Sequence, residues 1–283
     1  MKKVAAASVA LCVLLISSCL LFSPGHVLTY GRAIHAGPGT STNWSGYVVE
    51  TSLASPRKGA VYDVKGSWVV PSVDCQHTPD AEADLWIGID GWSSRTVEQI
   101  GVGCLCFQGW APIYYAWYEM FPENPVVITS IEINSGDRVS AEVRYSGSMS
   151  TRGGTSGDMF QLTITDDTTG ATFTTTQTSK TADRSSAEWI AEAPGIPTVA
   201  LAEFLTVTFQ DAQATLNVVH AGPTNLHTGP ISDSAWQYDR LNMVSSSGSL
   251  KAATSALSGT KLSFGGRTTF SGTSFSVEWY AAQ

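Results

Sequence analysis

From Asn43 onward the chain alternates apolar and polar residues with a period of two, and Gly-, Asp- and Thr-rich turns cut the alternation at short intervals. In Arg138–Tyr145, the residues Val139, Ala141, Val143 and Tyr145 point one way, and the charges and Ser140 point the other. Phe160, Leu162 and Ile164 alternate with Gln161, Thr163 and Thr165, and Asp166-Asp167-Thr168-Thr169-Gly170 then reads as a hairpin turn leading into Ala171–Thr176. Leu205, Val207 and Phe209 repeat the pattern, as do Phe275, Val277 and Trp279 near the end. A period of two puts successive side chains on opposite faces of a strand. Many short strands with turns between them predict an all-β sandwich or barrel. No window carries a convincing 3.6-residue period; Ser234–Val244 comes nearest and is the candidate for one short helix. No internal repeat or Pro-rich boundary interrupts residues 43–283, which read as one domain.

The first residues follow a different pattern. Met1-Lys2-Lys3 is a basic start and Val4–Leu15 an apolar run, the layout of a signal peptide, placed at residues 1–26 and excluded from the fold. Ile16-Ser17-Ser18-Cys19 resembles the box before a lipidated bacterial Cys; cleavage further on, before Ala36–Gly39, is the other ending. Residues 27–42 read as a linker. No later segment has the ~20 apolar residues that a spanning helix needs. The expectation is a secreted monomer, or a lipid-anchored surface protein if Cys19 is modified.

Composition narrows the function. The 283 residues carry a net charge of −8, with 43% hydrophobic and only 14% charged side chains, 26 Gly and 9 Trp. That is apolar enough for a packed core, and an acidic chain lacks the basic face that non-specific nucleic-acid binding requires. Of the five Cys, Cys12 and Cys19 lie in the export segment. Cys75, Cys104 and Cys106 remain, which in an oxidising compartment predicts one bridge, from Cys75 to either Cys104 or Cys106, and one spare thiol.

Strand parity locates the chemistry. In Asp84–Asp90 the residues Leu85, Ile87 and Ile89 share a core-like face, opposite Asp84, Trp86, Gly88 and Asp90. In Tyr115–Phe121 the residues Tyr115, Trp117, Glu119 and Phe121 point together. Glu188, Ile190 and Glu192 are co-facial in a third strand. Carboxylates avoid a dry core, so acids beside Trp predict a wet, aromatic groove for an extended polymer, peptide or sugar. Standard hydrolase motifs are absent: no His-Glu-x-x-His, no Gly-x-Ser-x-Gly, no Asp-Thr-Gly, and no phosphate loop. Neither a metal nor a cofactor is called for. Acid chemistry without His or Cys remains.

Six segments carry a family resemblance: Asn43-Trp44-Ser45-Gly46; Gly66–Pro71; Leu85-Trp86-Ile87-Gly88-Ile89-Asp90-Gly91; Glu98-Gln99-Ile100-Gly101; Ala116-Trp117-Tyr118-Glu119-Met120-Phe121-Pro122; and Ala187-Glu188-Trp189-Ile190-Ala191-Glu192. In this order they resemble the glutamic peptidases, or eqolisins, acid endopeptidases that pepstatin does not inhibit. The resemblance implies a sandwich of two curved antiparallel sheets, protein or peptide substrates, and a catalytic Gln/Glu pair at Gln99 and Glu192. It further implies substrate-binding residues at Trp44, Trp86, Asp90, Trp117 and Glu119, with Tyr115 a further candidate and Glu188 the rival for the acid. The bacterial-looking chain departs from fungal members in its short pre-domain segment and in having one residue fewer between the Asp-Gly turn and Gln99. The rivals are a carbohydrate-active or carbohydrate-binding sandwich and an inactive peptide-binding module.

Overall fold

Alternation becomes strands almost wherever it occurs. The computed structural model describes residues 31–150, 156–195, 198–218, 225–264 and 267–283; the export segment read at 1–26 lies outside them. The strands are β1 (His35–Gly37), β2 (Thr40–Ser41), β3 (Trp44–Glu50), β4 (Val61–Val69), β5 (Ala81–Ile89), β6 (Val97–Leu105), β7 (Ile113–Phe121), β8 (Val126–Ile128), β9 (Arg138–Ser150), β10 (Ser156–Asp166), β11 (Ala171–Ser179), β12 (Ser186–Glu192), β13 (Ala200–Leu201), β14 (Thr206–Asn217), β15 (Leu226–Pro230), β16 (Gln237–Val244), β17 (Leu250–Thr254), β18 (Ser258–Phe264) and β19 (Arg267–Trp279). The stretch read as a linker thus contributes two short strands.

Antiparallel pairing arranges the strands in two sheets. The front sheet runs β8-β7-β6-β5-β12-β3-β16. The back sheet runs β11-β10-β9-β4-β14-β19-β17. Strand β16 pairs with β3 through Gln237–Leu241 and with β17 through Met243 and Val244, so it joins the sheets along one edge. The core lies between them: Leu85, Ile87 and Trp189 of the front sheet meet Trp68, Phe160 and Phe209 of the back. Trp189 keeps its polar atom satisfied in this apolar layer by donating Nε1–H to the Lys65 carbonyl at 2.9 Å, as a buried indole requires.

Two sequence expectations are corrected. Ser234–Val244 is no helix; among the described residues there is none, and this stretch supplies β16. Its weak propensity yields to pairing with β3 and to burial of Leu241 and Met243, with Asn242 Oδ1 accepting from the Thr254 amide at 2.9 Å between them. Leu205 does not share the inward face of Val207 and Phe209. It precedes β14 at φ 55° and is 64% exposed.

The structure also resolves the Cys alternatives: Cys75 bonds Cys106 and Cys104 is a buried free thiol. Cys104 is inside β6 and faces the core, whereas Cys106 follows the strand end, where its amide meets the Ala81 carbonyl beside the loop that carries Cys75. Closing a loop of 31 residues stabilises a fold by about 3–4 kcal/mol in the chain-entropy picture. Replacing both Cys75 and Cys106 by Ala is expected to lower the melting temperature by roughly 10 °C; an unchanged melting curve would show that the bridge contributes nothing.

Candidate active site

The outer face of the front sheet carries the acids and aromatics that parity brought together. Strand β6 turns Val97, Gln99, Gly101 and Gly103 toward this face. Register places Gln99 between Gly88 and Glu119, Gly101 between Trp86 and Trp117, and Gly103 between Asp84 and Tyr115. The glycines supply space. A Cβ on Gly101 would lie 2.5 Å from the Trp86 Cβ, and one on Gly103 would lie 2.4 Å from the Tyr115 ring. The Tyr115 ring and the stem of Trp86 therefore come close to bare backbone, and β6 forms the floor of an aromatic hollow.

Strand β12 brings the second reactive group. Glu192 sits opposite Trp44 and Asp84, and Glu188 sits opposite Gly88. The Trp86 indole donates to Glu192 Oε2 at 2.8 Å, and Asn43 Nδ2 donates to Glu192 Oε1 at 3.2 Å. Trp44 packs edge-on against Trp86 at 4.8 Å. On the far side of Trp86, Gln99 Nε2 donates to Glu119 Oε2 at 2.5 Å.

Electrostatics ties these pieces into one hollow. Burial pushes Glu192 up to about 8, against the hydrogen bonds from Trp86 and Asn43. Burial and then the Glu192 charge push Glu119 up to about 9, with the Gln99 bond opposing. Asp84 is raised by burial and by Glu82, Glu192 and Glu119 in turn. Like charges in a low-dielectric site cannot all ionise. The cluster therefore holds protons well above the usual carboxylate range.

The predicted residues do not all gather there. Gln99, Glu119, Glu192, Trp44, Trp86 and Trp117 do. Asp90 stands apart: its Oδ2 accepts the amides of Asp183 and Arg184 at 2.8 and 2.6 Å, and its Oδ1 accepts the Ser185 amide and hydroxyl, both at 2.9 Å. With φ at 74° it turns the chain out of β5 and anchors the entry to β12. Glu188, the rival acid, feels Asp90, Glu50 and Glu98 rather than Glu192. Three groups escaped the sequence reading as site residues. Asn43 was seen only as part of a motif; Asp84 shared the Trp86 face by parity; and Glu82, which accepts from the Tyr115 hydroxyl, lies one strand pitch further on the same face.

The groove is not open. Gln99, Glu119, Glu192, Trp44, Trp86 and Trp117 are all fully buried, in contrast to the expected wet face. Described residues that pack over the cluster include Ala33, Trp92 and Phe107.

Comparisons with known proteins agree with one another. The profile of the Peptidase A4 family matches residues 42–255. Aspergillopepsin-2 of Aspergillus niger is 29% identical over 211 residues, covering 65% of this chain and 68% of the relative. The structure of scytalido-glutamic peptidase with a transition-state-analogue inhibitor superposes with a TM-score of 0.60 at 20% identity, covering 84% of this chain and 98% of that one. The structure of SCP-B, an eqolisin in complex with the tripeptide Ala-Ile-His, gives 0.57 at 20% identity, with the same coverage of 84% and 98%. Aspergilloglutamic peptidase from Aspergillus niger gives 0.51 at 26% identity, covering 71% of this chain and 99% of that one.

Proposed function

The chain belongs to the Peptidase A4 family of glutamic peptidases, and on that premise we propose that Gln99 and Glu192 are its catalytic pair in an exported acid endopeptidase. The observation that carries the pair is their shared hollow: Glu119 holds the Gln99 amide by hydrogen bond and feels the Glu192 charge. Export rests on the basic start at Lys2 and Lys3 and the apolar run Val4–Leu15.

A peptide carbonyl is a weak electrophile, so the attacking water must lose a proton as it attacks. Glu192, ionised when the cleft fills with water and burial no longer holds its proton, takes that proton as general base. The oxyanion that forms needs a preorganised donor, and the Gln99 amide supplies an N–H that no pH change removes. Glu192 then returns the proton to the leaving nitrogen. Trp86 and Asn43 hold the Glu192 carboxyl by one oxygen each, and Glu119 fixes the Gln99 amide. Trp44, Trp86 and Trp117 offer the substrate strand an apolar wall. The SCP-B complex with Ala-Ile-His supports a peptide ligand, and the present chain carries that tripeptide as Ala33-Ile34-His35 beside the hollow.

Incubating the purified protein with unfolded casein from pH 2 to pH 7, with pepstatin present, tests this reading. Peptide release confined to acid and indifferent to pepstatin is expected; reducing-sugar release from polysaccharide, or peptide affinity without cleavage, would refute it.

A further inference from the structure

Four acids line the hollow and no cation answers them. Glu82, Asp84, Glu119 and Glu192 are all buried, and among the described residues no Lys, Arg or His forms an ion pair with any of them. Three of the four accept hydrogen bonds: Glu192 from Trp86 and Asn43, Glu119 from Gln99, and Glu82 from the Tyr115 hydroxyl. Asp84 differs. Neither of its oxygens has a hydrogen-bond partner among the described residues, although the side chain is fully buried. Buried polar atoms are nearly always paired, so an exception beside a proposed catalytic group points to a donor that arrives with the ligand. Asp84 stands directly opposite Glu192 on β12 and Gly103 on β6; side chains so placed start about 5 Å apart. Gly103 puts no side chain beside it, and the Tyr115 ring fills that flank. Trp86 follows on the same face of β5. Asp84 is thus the floor of a slot with Glu192 on one side and aromatic rings around the rest. The charges that act on it from the surrounding strands are Glu82 on β5, Glu192 on β12 and Glu119 on β7, all acids; Cys104, on the opposite face of β6, is itself raised by Asp84 after burial.

We infer that Asp84 is a specificity-determining residue: it receives the basic side chain of a substrate Lys or Arg that stands next to, or next but one to, the bond that is cut. The inference rests on Glu192 acting as proposed above, because that role places the scissile bond beside the Glu192 carboxyl and so within side-chain reach of Asp84. Lys and Arg carry an alkyl stem that suits the Trp86 and Tyr115 rings, and a tip with several N–H donors and no acceptor. Ring faces also attract a cation. A basic residue therefore brings both things that Asp84 lacks, donors and an opposite charge. Burial and the neighbouring acids keep a proton on Asp84. An arriving cation favours the ionised form, so that proton leaves to solvent as the basic side chain enters. An uncharged side chain leaves the same two oxygens without a donor, and a site built to hydrogen-bond a substrate group rejects a residue that lacks it. The bound cation also lies beside Glu192, where it offsets the charge that this carboxylate must bear as the base. The segment leading into the domain covers the slot: the Arg32 carbonyl accepts from Asn43 Nδ2 at 3.2 Å, and the Ile34 amide donates to Asn43 Oδ1 at 2.8 Å. The slot takes a substrate when the cleft fills, as the proposed function already requires.

Cut sites in unfolded casein, mapped by mass spectrometry after digestion in acid, followed by a matched pair of peptides, test the inference. Lys or Arg is expected beside the cut, always on the same side, at most sites. In a peptide copied from the fastest site, replacing that basic residue by Met is expected to lower the wild-type kcat/KM roughly 10–100-fold, the worth of hydrogen bonds to a charged group. Asp84→Asn and Asp84→Ser, either of which serves if the other fails to fold, are expected to cut the Met peptide at close to the wild-type rate and to bring the ratio between the two peptides near one. Asp84→Glu keeps the charge and is expected to keep the preference. A purely structural role for Asp84 would lower both rates together and leave their ratio alone. A wild-type ratio near one overturns the inference whatever the variants do, and leaves the catalytic pair standing because both peptides are still cut. A preference that survives in Asp84→Asn or Asp84→Ser overturns the assignment to Asp84, and casein left whole by the wild type overturns the proposed function as well.

Discussion

Glu192→Gln is expected to lower kcat on an acid-denatured protein substrate by about 10²–10⁴-fold with little change in KM, because a positioned general base contributes on that order. The isostere keeps the size of the side chain and the stronger bond, from Trp86, gives up the 3.2 Å bond from Asn43 because its other terminal atom is a donor, and loses the capacity to take a proton; an unchanged near-UV circular dichroism spectrum shows that the fold is kept. Gln99→Ala removes the oxyanion donor and should cost about 10²–10³-fold. The double variant should sit close to Glu192→Gln alone rather than at the product of the two losses, since groups that act on one transition state are not additive. Glu119→Gln separates holding from chemistry. Glu119 keeps its proton in acid because burial and the Glu192 charge raise it, so a neutral isostere should leave acid activity within tenfold. The same variant should extend activity on the alkaline side, where the native Glu119, raised to about 9, would ionise against Glu192. Full activity in Glu192→Gln would sink the catalytic pair; a Glu119→Gln profile that narrows on the alkaline side would sink the account of Glu119.

The positions that carry this argument differ in how far the chain itself announced them. Strand parity placed Trp86, Trp117, Glu119 and Glu192 opposite the core residues Leu85, Ile87 and Ala116, because a half-buried strand separates its faces residue by residue. Parity cannot say which strands are neighbours. The contacts of Gln99 with Glu119 and of Glu192 with Trp86 depend on β6, β5 and β12 lying side by side, information that is non-local in sequence; motif resemblance supplied it instead. Asp90 shows the limit of both approaches. It has the parity of Trp86, yet the left-handed turn at the end of β5 swings it onto the loop before β12, and no alternation pattern reports a turn of that kind. Asn43 was missed because its role depends on a partner 149 residues away. The covering of the hollow was equally invisible: the Gly- and Pro-containing stretch before Asn43 has the composition of a spacer, and only the donors and acceptors around it show that its backbone is bound. Ser234–Val244 failed for the opposite reason, since local propensity favoured nothing strongly and pairing with β3 decided the outcome.

The melting temperature of the folded protein should fall by roughly 10–20 °C between pH 5 and pH 7, opposite to the behaviour of a fold held by ionised acids. The cause is a set of buried carboxyls that the fold keeps protonated. Burial raises Glu50 and Asp63 to about 7, Glu192 to about 8 and Glu119 to about 9, and it raises Asp84, Asp90, Glu98 and Glu188 as well. The sign follows from proton counting. The ordinary carboxyl titrates near 4, so above that pH the unfolded chain has released protons that the folded chain retains, and linkage makes stability fall as pH rises until the folded groups also ionise. Stability contributed by these groups is complete below about pH 4 and is lost toward pH 7–9, the window set by the raised values. Each group that stays protonated contributes a slope of about 1.4 kcal/mol per pH unit. Two groups behaving like Glu50 and Asp63 therefore remove roughly 5 kcal/mol from pH 5 to pH 7, a large share of a typical total of about 5–15 kcal/mol. Groups with the reverse sign are few: Asp166, against its own desolvation, is lowered by hydrogen bonds from Thr169 and Thr168, so its contribution is lost only as pH falls below the usual carboxylate range. Glu188→Gln gives the decisive comparison, because it removes one buried titration far from Glu192 without changing side-chain size. That variant should melt within a degree or two of wild type at pH 4 and several degrees higher at pH 7. A wild-type melting temperature that stays level or climbs between those pH values would mean that water reaches these carboxyls in the folded state and that acid dependence of activity must come from the catalytic pair alone.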